Sequence, residues 1–191
     1  VVDLAGVIQL KFDGGEGQQT IFLDNIYFYT GESQSSPSTA APTPTHAAAD
    51  VISIYSNAYT PIDGVDTNPN WGQATAVTGE VVDGDDMLKL AGLNYQGIDW
   101  AGNVQDVSGK THVHIDVWTA NATTINLSLI SSGPQETPYA LGIQTGEWVS
   151  YDIPLSEYTS VVDLTQTIQF KFDDAGAGNS PTLFVDNIYF Y

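Results

Sequence analysis

The chain has no cysteine and no arginine, and its 4 lysines face 23 aspartate and glutamate residues, giving a formal net charge of -19. Without cysteine there is no disulfide, thiolate zinc site or cysteine nucleophile. An acidic surface of this kind repels phosphate backbones and anionic lipid headgroups, so we expect no nucleic-acid binding. It suits an extracellular protein, because salt and calcium both screen carboxylate repulsion.

Long apolar runs are also missing. No stretch approaches the roughly 20 apolar residues that span a bilayer, so we expect no membrane insertion. The first residues lack a basic region followed by an apolar core, and we expect any signal peptide to lie outside this sequence. We therefore expect a protein that is secreted or held at the cell surface.

Recognisable catalytic motifs are absent too. Glycosidases place two carboxylates across the scissile bond, whereas the glutamates here are isolated and lie mostly in loops or in low-complexity sequence. The sequence has no Gly-x-Ser-x-Gly elbow, phosphate-binding glycine loop or His-Glu-x-x-His helix. We expect no enzymatic activity in this chain, and a catalytic domain elsewhere in the parent protein.

Short β-strand patterns fill the chain from residue 50 onward. In residues 112–118, "HVHIDVW", β-branched residues alternate with polar residues and a tryptophan, and "IQFKFD" at residues 168–173 alternates in the same way. Turn-forming clusters separate these segments. The patterns predict an all-β chain, folded as a two-sheet antiparallel β-sandwich of jelly-roll type.

One strand pattern occurs twice, as "FLDNIYFY" at residues 22–29 and "FVDNIYFY" at residues 184–191. Aligning Val1 with Val161 gives 17 identities in 29 positions, with a two-residue gap in the loop. Residues 1–29 are therefore interpreted as the C-terminal strand pair of a truncated upstream copy of the same module. The parent protein is expected to be a tandem array.

The intervening residues 30–49 are rich in Ser, Thr, Pro and Ala and have no hydrophobic period. Such a segment buries too little apolar surface to offset its ordering entropy, which predicts an extended, semi-flexible linker. The complete β-sandwich module is then expected to occupy residues 50–191.

Several strings in the second unit resemble a known family: "ADVISIYSNAYTPIDGVDTNPNWGQAT", "LNYQGIDW", "VHIDVWTAN", "SSGPQETPYAL" and the terminal "FVDNIYFY". They look like the jelly-roll, galactose-binding-like carbohydrate-binding modules of secreted, often marine, Bacteroidetes polysaccharide-degrading enzymes. The resemblance implies a non-catalytic sandwich that binds a glycan and carries structural calcium.

The resemblance also implies which residues hold the calcium ion. In such modules the ion joins a loop after the first strand to the last strand, and the matching residues here are Ser56, Asn57, Asp66 and Asp186. Asn57 replaces an acidic residue of the family, which would weaken the site by one charge. Asp186 shares its parity with Phe184, Ile188 and Phe190 and is expected to point inward, where a charge is costly unless paired or metal-bound. The alternative is an aspartate at the sheet edge that accepts backbone hydrogen bonds.

A sugar site needs an exposed aromatic platform with amide or carboxylate groups nearby, because sugars present CH-rich faces and hydroxyl edges. Aromatic residues flanked by such groups in predicted loops are the candidates, and the alternative for each aromatic is core packing. The candidate set is Trp71, Tyr95, Trp100, Tyr139, Asn94, Gln96 and Asp99. Trp118 and Trp148 lie inside strand patterns and are expected to pack, and His112 and His114 are expected on a polar sheet face rather than in a zinc site.

Two functions fit these features. The first is a carbohydrate-binding module that targets a secreted glycoside hydrolase or lyase to a polysaccharide, either a β-glucan or a marine algal glycan. The second is a structural repeat of a surface adhesin or extracellular filament, whose residues 1–29 would pair with a neighbouring chain and drive self-association.

Overall fold

A computed structural model of the chain describes residues 34–191 and, before them, only residues 10, 12, 16, 17, 20, 22 and 23. The chain divides into two compact units, Val1–Glu32 and Ser33–Tyr191. The predicted strand pair at residues 1–29 and its pairing with another chain lie outside the described residues. No helix among the described residues has the length and apolar character needed to cross a membrane.

The described part of the second unit is built from strands joined by turns and short 3-10 helices. The strands are β1 (Ile52–Tyr55), β2 (Ala76–Val82), β3 (Asp85–Ala91), β4 (Tyr95–Asp99), β5 (His112–Thr119), β6 (Ile125–Ser131), β7 (Gln135–Leu141), β8 (Trp148–Pro154), β9 (Thr167–Asp173) and β10 (Leu183–Phe190). The 3-10 helices are Ala48–Asp50, Ala101–Asn103 and Leu155–Glu157.

These strands form two antiparallel sheets. The six-stranded sheet has the order β2-β3-β10-β5-β8, and β1 pairs with β10 beside β3. The four-stranded sheet has the order β4-β9-β6-β7. The predicted two-sheet antiparallel β-sandwich of jelly-roll type is thereby confirmed.

The core between the sheets follows the alternation of the sequence. Val113, Ile115 and Val117 of β5 and Phe170 and Phe172 of β9 all belong to the main buried cluster. Their polar neighbours in sequence therefore lie on the outer faces of the two sheets, because successive strand side chains point to opposite sides.

A β-bulge in β10 breaks this alternation. Its register with β5 shifts between Asp186 and Tyr189, and Asn187 has a φ of 51°. Val185 lies in the main core and so does Ile188, whereas Phe184 lies in a separate cluster with Met87 and Trp118. Asp186 therefore lies on the outer face of the six-stranded sheet, and the expectation that it points inward with Phe184, Ile188 and Phe190 is wrong.

The proline-rich segment at residues 34–47, here called the strap, lies on this outer face. Its carbonyls accept hydrogen bonds from Trp148 Nε1 (to Thr39, 3.0 Å) and Asn187 Nδ2 (to Pro42, 3.1 Å), and Ala41 N donates to Asp85 Oδ2 at 3.1 Å. Most of the predicted linker thus belongs to the compact unit Ser33–Tyr191 and covers β10 and β5. This explains why outward-facing residues of both strands are buried.

Candidate functional site

A cleft of about 410 Å³ opens on the outer face of the four-stranded sheet. The strand register places Asp99, Gln169, Ile130 and Glu136 in one row across β4, β9, β6 and β7. The cleft is lined by Trp71, Ile130, Pro134, Glu136, Gln169 and Lys171. A partly exposed tryptophan beside a polar sheet face is a suitable surface for a ligand with both apolar and hydroxyl groups.

Trp71 is the platform of the cleft. A Cβ atom added to Gly97 would lie 2.1 Å from Trp71 Cζ3 and 2.3 Å from Cη2, so the ring rests directly on the backbone of β4. Tyr95 Oη donates to the Trp71 carbonyl at 2.8 Å, and Trp71 N donates to Gln73 Oε1 at 2.8 Å. These contacts hold the loop and its ring in one position before any ligand arrives.

Polar side chains on the strands complete the cleft. Lys171 Nζ donates to both carboxylate oxygens of Glu136, at 2.8 and 2.9 Å. Gln169 Nε2 donates to Asp99 Oδ1 at 3.2 Å, which ties β9 to β4 across the face. These groups retain further hydrogen-bonding capacity that can be offered to hydroxyl groups.

Four of the predicted sugar residues lie on this side of the molecule. Trp71 lines the cleft, Asp99 accepts a hydrogen bond from the cleft residue Gln169, and Tyr95 supports the Trp71 loop. Asn94 anchors the strand that follows this loop, because its Oδ1 accepts hydrogen bonds from Ala74 N, Thr75 N and Thr75 Oγ1.

The other three predicted sugar residues do not face the cleft. Trp100 is fully buried, donates to the Thr167 carbonyl at 2.9 Å and packs edge-on against Phe170. Gln96 is also fully buried. Tyr139 belongs to β7 rather than to a loop, and its ring packs against the main core beside Tyr158. The structure therefore does not bring these three side chains to the cleft, because they point between the sheets.

The polar cleft residues of β7 and β9 were not among the predicted site residues. Gln169 and Lys171 were recognised only as the polar half of an alternating strand, and Glu136 only as an isolated glutamate. The alternation gives the face of each residue but not the neighbouring strand. The cleft therefore depends on the register between strands, which a single sequence does not reveal.

The outer face of the six-stranded sheet carries a second polar cluster beneath the strap. Asp186 and Asp116 stand opposite each other on β10 and β5, and both are fully buried. Asp116 accepts from Asn187 Nδ2 at 2.8 Å and from Ser150 Oγ. Asp186 Oδ1 accepts from Asn187 N at 2.6 Å, whereas its Oδ2 has no hydrogen-bond partner within the described residues.

The electrostatics of Asp186 are unfavourable for a bare carboxylate. Burial raises the pKa of Asp186 to about 8, the neighbouring carboxyls of Asp85 and Asp116 contribute to the rise, and the Asn187 N–H opposes it. A buried charge is stable only when paired with an opposite charge or bound to a cation. At neutral pH the Asp186 carboxyl therefore holds a proton unless a cation lies beside it.

A cavity of about 170 Å³ lies between the strap and the neighbouring loops. Asn57 and Asp85 line it together with Asn187, the residue that follows Asp186. Ser56 Oγ donates to Asn187 Oδ1 at 2.7 Å and so closes one side. Two of the four predicted metal residues, Ser56 and Asn57, thus lie close to Asn187, the residue that follows Asp186 in β10.

Asp66 does not join this group. Its backbone exchanges hydrogen bonds of 2.7 and 2.8 Å with Asp99 of β4, and its carboxylate accepts from Asn68 N. This ties Asp66 to the four-stranded sheet, whereas Asp186 belongs to the other sheet, so the structure does not bring these two predicted metal residues together. In the described part of the chain no three His, Cys, Asp or Glu side chains converge as a metal site on their own.

The histidines lie at the same sheet face as Asp116. His114 Nδ1 lies 2.7 Å from Asp152 Oδ1, and its ring stacks on Tyr189 with centroids 4.7 Å apart. Burial lowers the pKa of His114, but hydrogen bonds with Asp116 and Asp152 outweigh it and leave the pKa above its usual value. His114 is thus a buried partner of two carboxylates.

Comparison with solved structures finds carbohydrate-binding modules of similar fold. The family 11 module of a cellulosomal cellulase of Clostridium thermocellum aligns with a TM-score of 0.55 and 14% identity over 73% of this chain and 93% of that module. The same organism's family 11 module in complex with a β-1,3-1,4-mixed-linked tetrasaccharide gives 0.51 and 16%, over 66% and 86% of the two chains. A variant of the family 29 module CBM29-2 complexed with mannohexaose gives 0.50 and 14%, over 73% and 89%.

These likenesses show the β-sandwich fold, since all three identities are low. No protein-family model matches the chain, and no curated protein matches it either.

Proposed function

We propose that this chain is a non-catalytic carbohydrate-binding module, and that its cleft on the four-stranded sheet binds a polysaccharide. The observation that carries the proposal is the Trp71 ring, which is held on the backbone of Gly97 beside a row of amide and carboxylate groups. Such a platform stacks on the CH face of a sugar ring while the polar row accepts and donates hydrogen bonds to hydroxyls.

The solved structures of similar fold support this use of the fold. Two of the three are complexes with oligosaccharides, a mixed-linked tetrasaccharide and mannohexaose. We further propose that the module is extracellular and directs an attached glycoside hydrolase or lyase to its polysaccharide. In that setting each module binds weakly, and tandem copies gain avidity through their linkage.

Affinity electrophoresis tests the proposal. The wild-type module is expected to be retarded by at least one polysaccharide of a panel that contains laminarin, mixed-linkage β-glucan, mannan, agarose, carrageenan and alginate. Trp71→Ala is expected to weaken binding by about 30-fold, since loss of a central aromatic contact costs about 2 kcal/mol. Trp71→Phe keeps part of the stacking surface, so its affinity should lie between those of wild type and Trp71→Ala.

Two results would count against this function. Unretarded migration of the wild type in every gel would remove the evidence for binding. Equal retardation of wild type and Trp71→Ala would mean that the glycan binds elsewhere on the module.

We also propose that the module carries a structural Ca²⁺ ion beneath the strap. Asp186 would supply the buried carboxylate, and Asp85, Asn57 and the strap, which line the neighbouring cavity, would supply further oxygens. The chemistry suits calcium, which takes six to eight oxygen ligands and accepts neutral amide and carbonyl donors. The ion would neutralise the repulsion between Asp186, Asp85 and Asp116.

Calcium removal should lower the melting temperature. A ligand that binds only the folded state at a hundred times its Kd stabilises that state by about 2.7 kcal/mol, which EDTA would remove. Calorimetry of wild type with calcium and with EDTA measures this difference. Asp186→Asn keeps the shape but loses the charge, so its melting temperature should respond much less. Identical wild-type melting in both buffers would refute the calcium proposal and leave glycan binding unaffected.

A further inference from the structure

The charges at the cleft point to the class of polysaccharide that it binds. On this face the charged side chains that the structure describes are Asp99, Glu136 and Asp173, which are acidic, and Lys171, which is basic. The other described lysines lie elsewhere, because Lys89 pairs with Glu80 at 3.2 Å on the six-stranded sheet and Lys110 donates to the Asp50 carbonyl at 2.7 Å. The sheet face around the cleft therefore carries a net negative charge, whereas the charges of Glu136 and Lys171 in the cleft itself cancel.

Lys171, the single cation of this face in the described part of the chain, is already neutralised. Lys171 Nζ lies between both oxygens of Glu136, at 2.8 and 2.9 Å, and the lysine side chain is 23% exposed. A sulfate or carboxylate group on an incoming chain would have to displace Glu136 and approach the remaining acidic groups. Like charges brought together at an interface are unfavourable and suppress the wrong partners.

The same face offers hydrogen-bonding partners to uncharged hydroxyl groups. Gln169 Nε2 donates to Asp99 Oδ1 at 3.2 Å, and Asn126 Nδ2 donates to Asp173 Oδ1 at 3.0 Å, so two amide–carboxylate pairs lie on this face. Each carboxylate oxygen has lone pairs for a further hydroxyl donor. Trp71 adds an uncharged stacking surface at the same cleft.

On the basis of the proposed function, we infer that the cleft binds an uncharged polysaccharide and that Glu136, by holding Lys171, excludes chains bearing sulfate or carboxylate groups. Glu136 is thus a specificity-determining residue, and Trp71 supplies the stacking that any hexopyranose chain can use. Binding to such a chain should depend little on salt, because no net charge is neutralised on binding.

Affinity electrophoresis at low and high salt tests this inference. Wild type should be retarded by a neutral chain from the set of laminarin, mixed-linkage β-glucan and mannan, equally at both salt concentrations, and not by alginate or carrageenan. Glu136→Gln frees Lys171 and removes one negative charge, so it should bind an anionic chain at least about tenfold more tightly than wild type, and less so at high salt. Glu147→Gln removes the same charge from an exposed loop before β8 and should behave as wild type.

The outcomes separate this inference from the function on which it rests. Retardation of wild type by alginate or carrageenan, weakened by salt, would overturn the inference while glycan binding stood. If Glu136→Gln fails to bind anionic chains, as wild type is expected to, Glu136 does not determine the specificity. No retardation by any chain would overturn both the inference and the proposed function.

Discussion

Gly97→Ala is expected to lose at least about tenfold in glycan affinity while the module stays folded. The added methyl group would lie 2.1 Å from Trp71 Cζ3, well inside van der Waals contact, and the neighbouring backbone of β4 cannot retreat because β4 is paired with β9. The tryptophan ring must therefore move outward. A displaced platform no longer matches the sugar and the polar row at the same time, which removes the benefit of a preformed site.

The change is small enough to leave the fold intact. Gly97 is not in the left-handed region, so alanine can adopt its backbone conformation. Inserting one methyl group into a packed site costs about 1–3 kcal/mol, and the strap and core of the module do not involve this residue. Circular dichroism should show native β-structure with a melting temperature lowered by several degrees.

Gly79→Ala provides the matched control. Gly79 lies in β2, a Cβ atom there meets nothing within 4 Å, and its φ is also outside the left-handed region. It should bind glycan as wild type does. Isothermal titration with the polysaccharide that retards wild type measures both variants. Wild-type affinity in Gly97→Ala would show that the position of Trp71 does not matter for binding.

The fold was predictable because its information is local. Alternation in residues 112–118 and 168–173 identifies both the strands and the residues that face the core, such as Val113 and Phe170. A sandwich needs only that each strand has one apolar face and that turns separate the strands. These requirements are satisfied within windows of about ten residues.

The direction of Asp186 was not predictable from alternation. One extra residue at the β10 bulge reverses the parity between Phe184 and Ile188, so these residues lie in separate buried clusters. The position of the bulge depends on the register with β5, where Asp186 faces Asp116 and Tyr189 faces His114. A single strand sequence does not encode that register.

The strap was unpredictable for a different reason. It has no hydrophobic period, and its attachment uses the backbone carbonyls of Thr39, Pro42 and His46, which accept from Trp148, Asn187 and Tyr59. Every residue carries a carbonyl, so composition cannot reveal such contacts. The donors are side chains on distant strands and loops. The low-complexity segment becomes ordered because its carbonyls accept hydrogen bonds from these donors.

The predicted sugar site contained two tryptophans, Trp71 and Trp100, that the structure places in different environments. Both tryptophans stand beside glycines, amides or carboxylates in the sequence, and both were predicted to contact sugar. Trp71 is in a loop over β4, whereas Trp100 immediately follows β4 and turns into the core. The two positions therefore have opposite expected consequences when mutated.

Trp100→Ala is expected to destabilise the module by about 3–5 kcal/mol, a large share of the 5–15 kcal/mol typical of a folded domain. The ring is fully buried against Phe170 and Phe190, with centroids 5.1 and 6.4 Å away, and its removal leaves a cavity that the two sheets cannot close. The hydrogen bond of 2.9 Å to the Thr167 carbonyl is lost as well. The midpoint of urea unfolding measures this loss.

The stability and glycan affinity of Trp71→Ala are the comparison for those of Trp100→Ala. Trp71 is partly exposed, so its removal should change the free energy of unfolding by less than about 1 kcal/mol while glycan binding falls. Trp100→Ala, assayed where it remains folded, should keep wild-type affinity because its ring does not reach the cleft. Trp100→Phe restores much of the buried volume and should recover part of the stability. A stable Trp100→Ala variant that fails to bind glycan would instead show that Trp100 belongs to the sugar site.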